Sequence, residues 1–237
     1  MPIILAIETS SEIASAALMS GNKLSSPQIL QRQVDGVMTH SQLILPMVQS
    51  LFNEAGLRLS DCDAIAFGSG PGSFTGVRTA CGVVQGLAFG ADLPVIPVVT
   101  LLALAEAERV TSGAHNVLTA LDARMGEVYW AQYQYDAALG WQVLIAPTLS
   151  APALVAPDKL DHLVLAGNGF AAYEKQFTLN ADLMSTARST VPDAAAIVRI
   201  AAREWAAGRV VSAEQAQPLY LRNKIALTSA ERLALAS

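Results

Sequence analysis

The stretch Asp63–Arg78, DAIAFGSGPGSFTGVR, decides how the chain is read. Ala64–Phe67 is a short apolar run of strand type. Gly68 to Gly76 is a glycine-rich loop, and the residues from about Thr75 to Phe89 suit a helix. A strand that enters such a loop and a helix that leaves it form an α/β unit. The free backbone N–H groups of the helix start then point outward, where an anion can be held. Ser73 and Thr75 add hydroxyls there, and Arg78 adds a charge. The loop is not a Walker A loop, because the Gly-Lys-Ser/Thr ending is absent. It is not G-x-G-x-x-G, because Thr75 stands at the third glycine position. The same glycines also suit a tight turn that lets helix and strand pack closely, and the loop alone does not decide between the two.

Upstream, Ile3–Ile7, Ile13–Met19 and Gln28–Val34 read as strands, with turns at Glu8–Glu12 and at Gly21-Asn22. The chain thus opens with a β-meander. A helix over about 42–55 follows, capped by Thr39 or Ser41 and stopped by Gly56, with Pro46 awkwardly far into it. Downstream of the loop come a strand at Val95–Val98 and a helix at Thr100–Arg109. The order β-β-β-α-β-α-β implies a mixed sheet with helices against it. The first hairpin carries Glu8, Thr9 and Ser10 at its tip. An acid and hydroxyls so placed can hold a phosphate or a magnesium-bound water, and they are also ordinary turn residues. With Gly70, Gly72, Ser73, Thr75 and Arg78 they make up the candidate anion or nucleotide site.

A second unit starts near Asn116. Strands are expected at Val117–Leu121, Val128–Tyr135, Trp141–Ile145 and Leu163–Ala166, with a turn at Asp122–Gly126. Gly167-Asn-Gly169 follows the last strand. A helix opens at Thr190-Val-Pro192 and runs to Ala207, with Gly208 as its cap. Met184–Thr190 is the least structured stretch. The tail Gln217–Asn223 is short and mixed, and Ser229–Ser237 is expected to fray. The openings near Ile3 and Val117 echo one another weakly.

Composition narrows the function. Of 237 residues, 52% are hydrophobic and 15% charged, so a sizeable core forms with apolar surface left over. A net charge of −5 argues against a protein that coats nucleic acid, though not against one that reaches it through a partner. Cys62 and Cys81 form no C-x-x-C motif, and His40, His115 and His162 stand far apart, so no helical metal pair exists. G-x-S-x-G is absent. Asp122, Asp136, Asp158 and Asp193 all lie beside turn or cap signals. The longest apolar stretch is broken by Asp92, Pro94 and Pro97, too short for a membrane span. No signal peptide is visible, and a soluble cytoplasmic protein is expected.

The helix after the glycine loop holds no charged residue from Thr79 to Ala91, and Gly82, Gly86 and Gly90 line one flat face. The preceding helix is apolar on two sides, through Leu43, Met47 and Leu51 and through Ile44, Val48 and Phe52. Helices apolar all round are either core or interface. A partner surface is the reading favoured here, with core packing as its alternative.

Together these strings resemble one family. Residues 4–10 (ILAIETS), 40–46 (HSQLILP), 63–78, 85–88 (QGLA) and 218–223 (PLYLRN) are similar to TsaB, also called YeaZ, the bacterial tRNA threonylcarbamoyladenosine biosynthesis proteins. The similarity is dense over 3–105 and thin from 110 to 215. The resemblance implies an acetate kinase/Hsp70/actin-like α/β fold of two related lobes. It divides the chain into a partner-binding lobe over 1–105, completed by about 210–230, and a smaller lobe over 106–209. It implies a non-catalytic paralogue of TsaD, the transferase that places threonylcarbamoyl on N6 of adenosine 37 in tRNAs reading codons that begin with A. The implied partners are TsaD and TsaE, with a homodimer when the chain is alone and tRNA met through the complex. No cofactor is implied for this chain; ATP acts through TsaE and TsaC. TsaD's His-x-x-x-His metal pair matches Thr100 and Leu104 here, and only Glu8, Thr9 and Ser10 match its first hairpin. The resemblance also implies that the helices over 42–55 and 75–89 form the partner and dimer surface, with Met47, Val48, Leu51, Val83, Val84, Gly86 and Leu87 as contacts. The rivals are a nucleotide-dependent enzyme in its own right and a protease acting on partner proteins.

Overall fold

The computed structural model describes residues 1–21, 27–35 and 40–222. The turn expected at Gly21-Asn22, the Thr39 cap, the end of the 217–223 tail and the fraying of 229–237 lie wholly or partly outside them. The first sheet contains β1 (Ile4–Glu8), β2 (Ile13–Ser20), β3 (Gln28–Asp35), β4 (Ala64–Gly70) and β5 (Val95–Val99) in the order β3-β2-β1-β4-β5. β1 is central, antiparallel to β2 and parallel to β4. Its residues alternate between two cores. Leu5 and Ile7 meet α1 (His40–Ala55) and α2 (Phe74–Ala91), whereas Ile4 and Ala6 meet α6 (Ala194–Ala206). Ala17, Ala64 and Ala66 join Ala6 on that second face, and α6 answers with Ala194, Ala196 and Ala201. Small residues on both sides let the helix lie close to the sheet.

Two helix boundaries have clear local causes. Ser73 accepts a hydrogen bond from the Gly76 N–H at the start of α2. Gly56 ends α1 with φ of +64°, which glycine adopts freely. Pro46 does lie inside α1, on an exposed position, so the bond it cannot donate is lost on the solvent side.

The second sheet contains β6 (Asn116–Asp122), β7 (Val128–Asp136), β8 (Gly140–Ser150) and β9 (Leu163–Ala166) in the order β8-β7-β6-β9. β6 pairs antiparallel with β7 and parallel with β9, which repeats the surroundings of β1. After β9 a glycine turn leads into the short α4 (Asn168–Ala172), as the glycine loop leads into α2. The weak echo in the sequence is therefore a repeated lobe, and the two related lobes are those of the acetate kinase/Hsp70/actin class. Between the sheets runs α3 (Thr100–Ser112). Its Ala103 and Ala107 join the α6 core, and its Leu101, Leu104 and Ala105 join the core of the second sheet.

The expected lobe division needs correction. A second lobe reaching residue 209 would include α6, yet α6 packs on β1, β2 and β4 of the first sheet. Its apolar face is alanine-rich and matches the alanine face of that sheet. The chain returns to the first lobe near Asp193, which caps α6 by accepting from the Ala196 N–H at 2.7 Å. The helix thus starts later than Thr190, and Gly208 lies one residue past its cap, Ala207. β8 runs five residues beyond the expected Ile145. The stretch 184–190 is ordered in part: it follows α5 (Ala181–Met184), and Arg188 bridges to Ala166.

Candidate functional site

The β1–β2 hairpin and the glycine loop meet at one corner of the first sheet. Glu8 is fully buried there. Its Oε1 accepts from the Ser10 N–H, and its Oε2 has no well-formed hydrogen bond among the described residues. Gly68 lies against it, where a Cβ would sit 1.8 Å from Oε2. Burial pushes the Glu8 pKa up to about 7; the Ser10 hydroxyl and N–H favour the charged form, and nearby Asp193 opposes it. Thr9 donates to the Gly76 carbonyl at 2.6 Å, and a Cβ at Gly76 would stand 1.8 Å from the Thr9 carbonyl oxygen. Gly68 and Gly76 are therefore needed for close packing of hairpin on loop. Glu8 and Thr9, expected to hold a phosphate or a metal-bound water, face into the protein instead.

The other candidates divide. Gly70 donates its N–H to Thr100 Oγ1 at 3.1 Å. Ser10, Gly72 and Ser73 line an inter-lobe cleft of about 420 Å³. Thr75 and Arg78 are exposed on the first turns of α2.

Sequence reasoning missed the far wall of that cleft. The β6–β7 turn supplies Asp122, Arg124 and Met125, and the C-terminal segment supplies Leu219–Arg222. That segment is tied to the first lobe by the Leu219 N–H on the Ser69 carbonyl at 2.7 Å and by Gln85 on the Ala216 carbonyl at 2.8 Å. It reaches the second lobe through Arg222. The guanidinium pairs with Glu127 at 2.7 Å and donates to the Ala123 carbonyl at 3.0 Å. Arg222 thus pins the underside of the β6–β7 turn and bridges the lobes. Arg124 and Met125 at the tip both adopt left-handed backbone, with φ of +62° and +57°. A turn was expected over Asp122–Gly126, but Arg-Met carries no Asn-Gly signal that would mark its left-handed tip.

The expected partner face needs correction as well. Met47, Val48, Leu51 and Val84 are buried in the core between the sheet and α1 and α2. They are not available to a partner without unfolding the lobe. Val83 and Leu87 are half-buried against the same core, and Gly86 is exposed. The open side of α2 is the ridge Gly82, Gly86 and Gly90, where an added Cβ would meet nothing within 4 Å. Phe89 on α2 is 74% exposed and Leu45 on α1 is 49% exposed. At the positions matching TsaD's metal pair, Thr100 and Leu104 are both fully buried. A hydroxyl bonded to Gly70 and a hydrocarbon do not fit such a metal. Among the described residues, no three His, Cys, Asp or Glu side chains group as a metal site, and no helix is long and apolar enough to cross a membrane.

Comparison with known proteins agrees along the length of the chain. The family model described as TsaD, tRNA N6-adenosine threonylcarbamoyltransferase, matches residues 21–234. The tRNA threonylcarbamoyladenosine biosynthesis protein TsaB of Escherichia coli K12 is 39% identical over 94% of this chain and 96% of its own. That of Haemophilus influenzae is 38% identical over 94% of each. The solved structure of YeaZ from Pseudomonas aeruginosa is 40% identical and superposes with a TM-score of 0.84 over 93% of this chain and 100% of its own.

Proposed function

The chain belongs to the TsaB family of tRNA threonylcarbamoyladenosine biosynthesis proteins, and from that premise we propose that it is a non-catalytic scaffold. It holds TsaD, with TsaE joining them, for N6-threonylcarbamoylation of adenosine 37 in tRNAs reading codons that begin with A. The observation that carries this reading is the open glycine ridge of α2, with Phe89 exposed on the same helix and Leu45 exposed on α1. A helix without side chains on one face lets a partner helix approach closely, and covering what remains exposed of Phe89 and Leu45 on docking contributes roughly 1–2 kcal/mol each. The same ridge serves a homodimer when TsaD is absent. The non-catalytic part is supported by Thr100 and Leu104, and by Glu8 and Thr9, whose side chains are engaged inside the first lobe. ATP then acts through TsaE and TsaC, and this chain needs no cofactor of its own. A nucleotide-dependent enzyme would need Glu8 in the cleft, and a protease would need a nucleophile with a base, yet among the described residues no histidine lines the cleft.

The test is reconstitution with TsaC, TsaD, TsaE, ATP, threonine, bicarbonate and unmodified tRNA, followed by mass spectrometry of the digested tRNA. Modification should require this chain, and this chain without TsaD should give none. Modification that proceeds unchanged in its absence would overturn the scaffold reading. Gly86→Arg should abolish co-purification with TsaD while the variant stays folded. Val84→Glu should unfold the lobe, because it places a charge in the core. Retention of TsaD by Gly86→Arg at wild-type yield would show that the ridge is not the docking face.

A further inference from the structure

At the mouth of the cleft three side chains from two elements form a stack. The Arg78 guanidinium lies 3.7 Å from the centre of the Phe74 ring. Its Nε donates to the Tyr220 hydroxyl at 2.8 Å, and the two rings stand 5.9 Å apart. Phe74 is 39% exposed and Tyr220 46%. Among the described residues no carboxylate pairs with Arg78. Across the cleft, the left-handed turn at Arg124 and Met125 carries an Arg124 side chain that pairs with Asp122 at 3.0 Å through one nitrogen and is still 87% exposed.

We propose that this rim takes one unpaired nucleotide of RNA, its base on the Phe74–Arg78–Tyr220 platform and its phosphate toward Arg124. Exposed aromatic faces and arginine planes are the surfaces on which single-stranded bases stack. A cleft of about 420 Å³ falls in the range that holds a small ligand. The net charge of −5 fits a local contact better than a long electrostatic track. The inference rests on the tRNA role proposed above and adds to it a direct contact, where the scaffold reading alone brings tRNA in through the partners.

The experiment uses the complex of this chain with TsaD and TsaE. Fluorescence anisotropy reads the binding of labelled unmodified tRNA, and gel filtration reads assembly. Phe74→Ala and Tyr220→Ala should each weaken tRNA binding roughly tenfold or more, while assembly stays normal and Tyr220→Phe remains near wild type. AMP should compete only at concentrations far above those of tRNA. Unchanged tRNA affinity in both alanine variants overturns the proposal. So does loss of assembly, which makes the rim a protein contact, and so does tight AMP binding without an effect on tRNA, which makes it a free-nucleotide site. If the wild-type complex does not form, the scaffold reading falls on its own. A titration of this chain alone with a short unpaired oligoribonucleotide then decides: binding that is lost in Phe74→Ala supports the rim, and no binding refutes it.

Discussion

Replacing Glu8 by Gln should remove a pH dependence of stability that the wild-type chain carries between about pH 4.5 and 7. The carboxyl ionises near 4.5 when free and near 7 in the fold, because burial penalises its charged form. In that window the unfolded chain has lost the proton and the folded chain still holds it. Stability therefore falls as pH rises through the window and levels off above the folded pKa. At 1.36 kcal/mol for each tenfold difference in proton affinity, the loss amounts to about 3 kcal/mol. Gln keeps an oxygen to accept from Ser10 but does not ionise. The assay is urea unfolding of both proteins at several pH values from 5 to 8, with the difference between them isolating Glu8 from Asp193, whose pKa is also raised by burial. The Gln variant should gain on the wild type by about 2.5 kcal/mol across that range, since part of the loss is already complete at pH 5. A difference that stays constant with pH would refute the sealed carboxyl and return Glu8 to solvent.

Gly76→Ala should fail to fold or lose more than about 3 kcal/mol, since its Cβ would collide with the Thr9 backbone, and thermal unfolding reads the effect. Arg222→Ala should cost roughly 1–3 kcal/mol through the Glu127 pair and the Ala123 carbonyl bond, read by urea unfolding. Arg222→Lys should recover only part of that, because an ammonium cannot reproduce the planar fork.

Local periodicity made much of the fold legible. β1 reads as a buried strand because all five of its residues are buried, and the glycine loop reads as a strand-to-helix turn because Gly68, Gly72 and Gly76 pack on the hairpin beside it. α2 was harder. With no charge from Thr79 to Ala91, its sequence cannot say which side packs, so buried Val84 and exposed Gly86 looked equivalent. α6 was recognisable as a helix, but the sheet it covers is set by contacts more than a hundred residues away, such as Ala194 N–H on Ser15 at 2.9 Å. The cleft was half legible. Ser10 and Ser73 carried a signal, whereas Arg124, Tyr220 and Arg222 act only where the tail crosses from one lobe to the other.

That crossing bears on how the protein is made. The alanine face of the first sheet stays open until α6 leaves the ribosome, and the edge of β5 waits for Val211, which pairs with Val95 through two backbone bonds. At about 5–20 residues synthesised per second, the delay between Val95 and Val211 is roughly 6–23 s. Through that interval the nascent chain carries an alanine face covered only in part by α3, beside an unprotected edge. The lobe begun first is finished last, so a ribosome that stalls before residue 194 leaves an aggregation-prone fragment rather than a usable half.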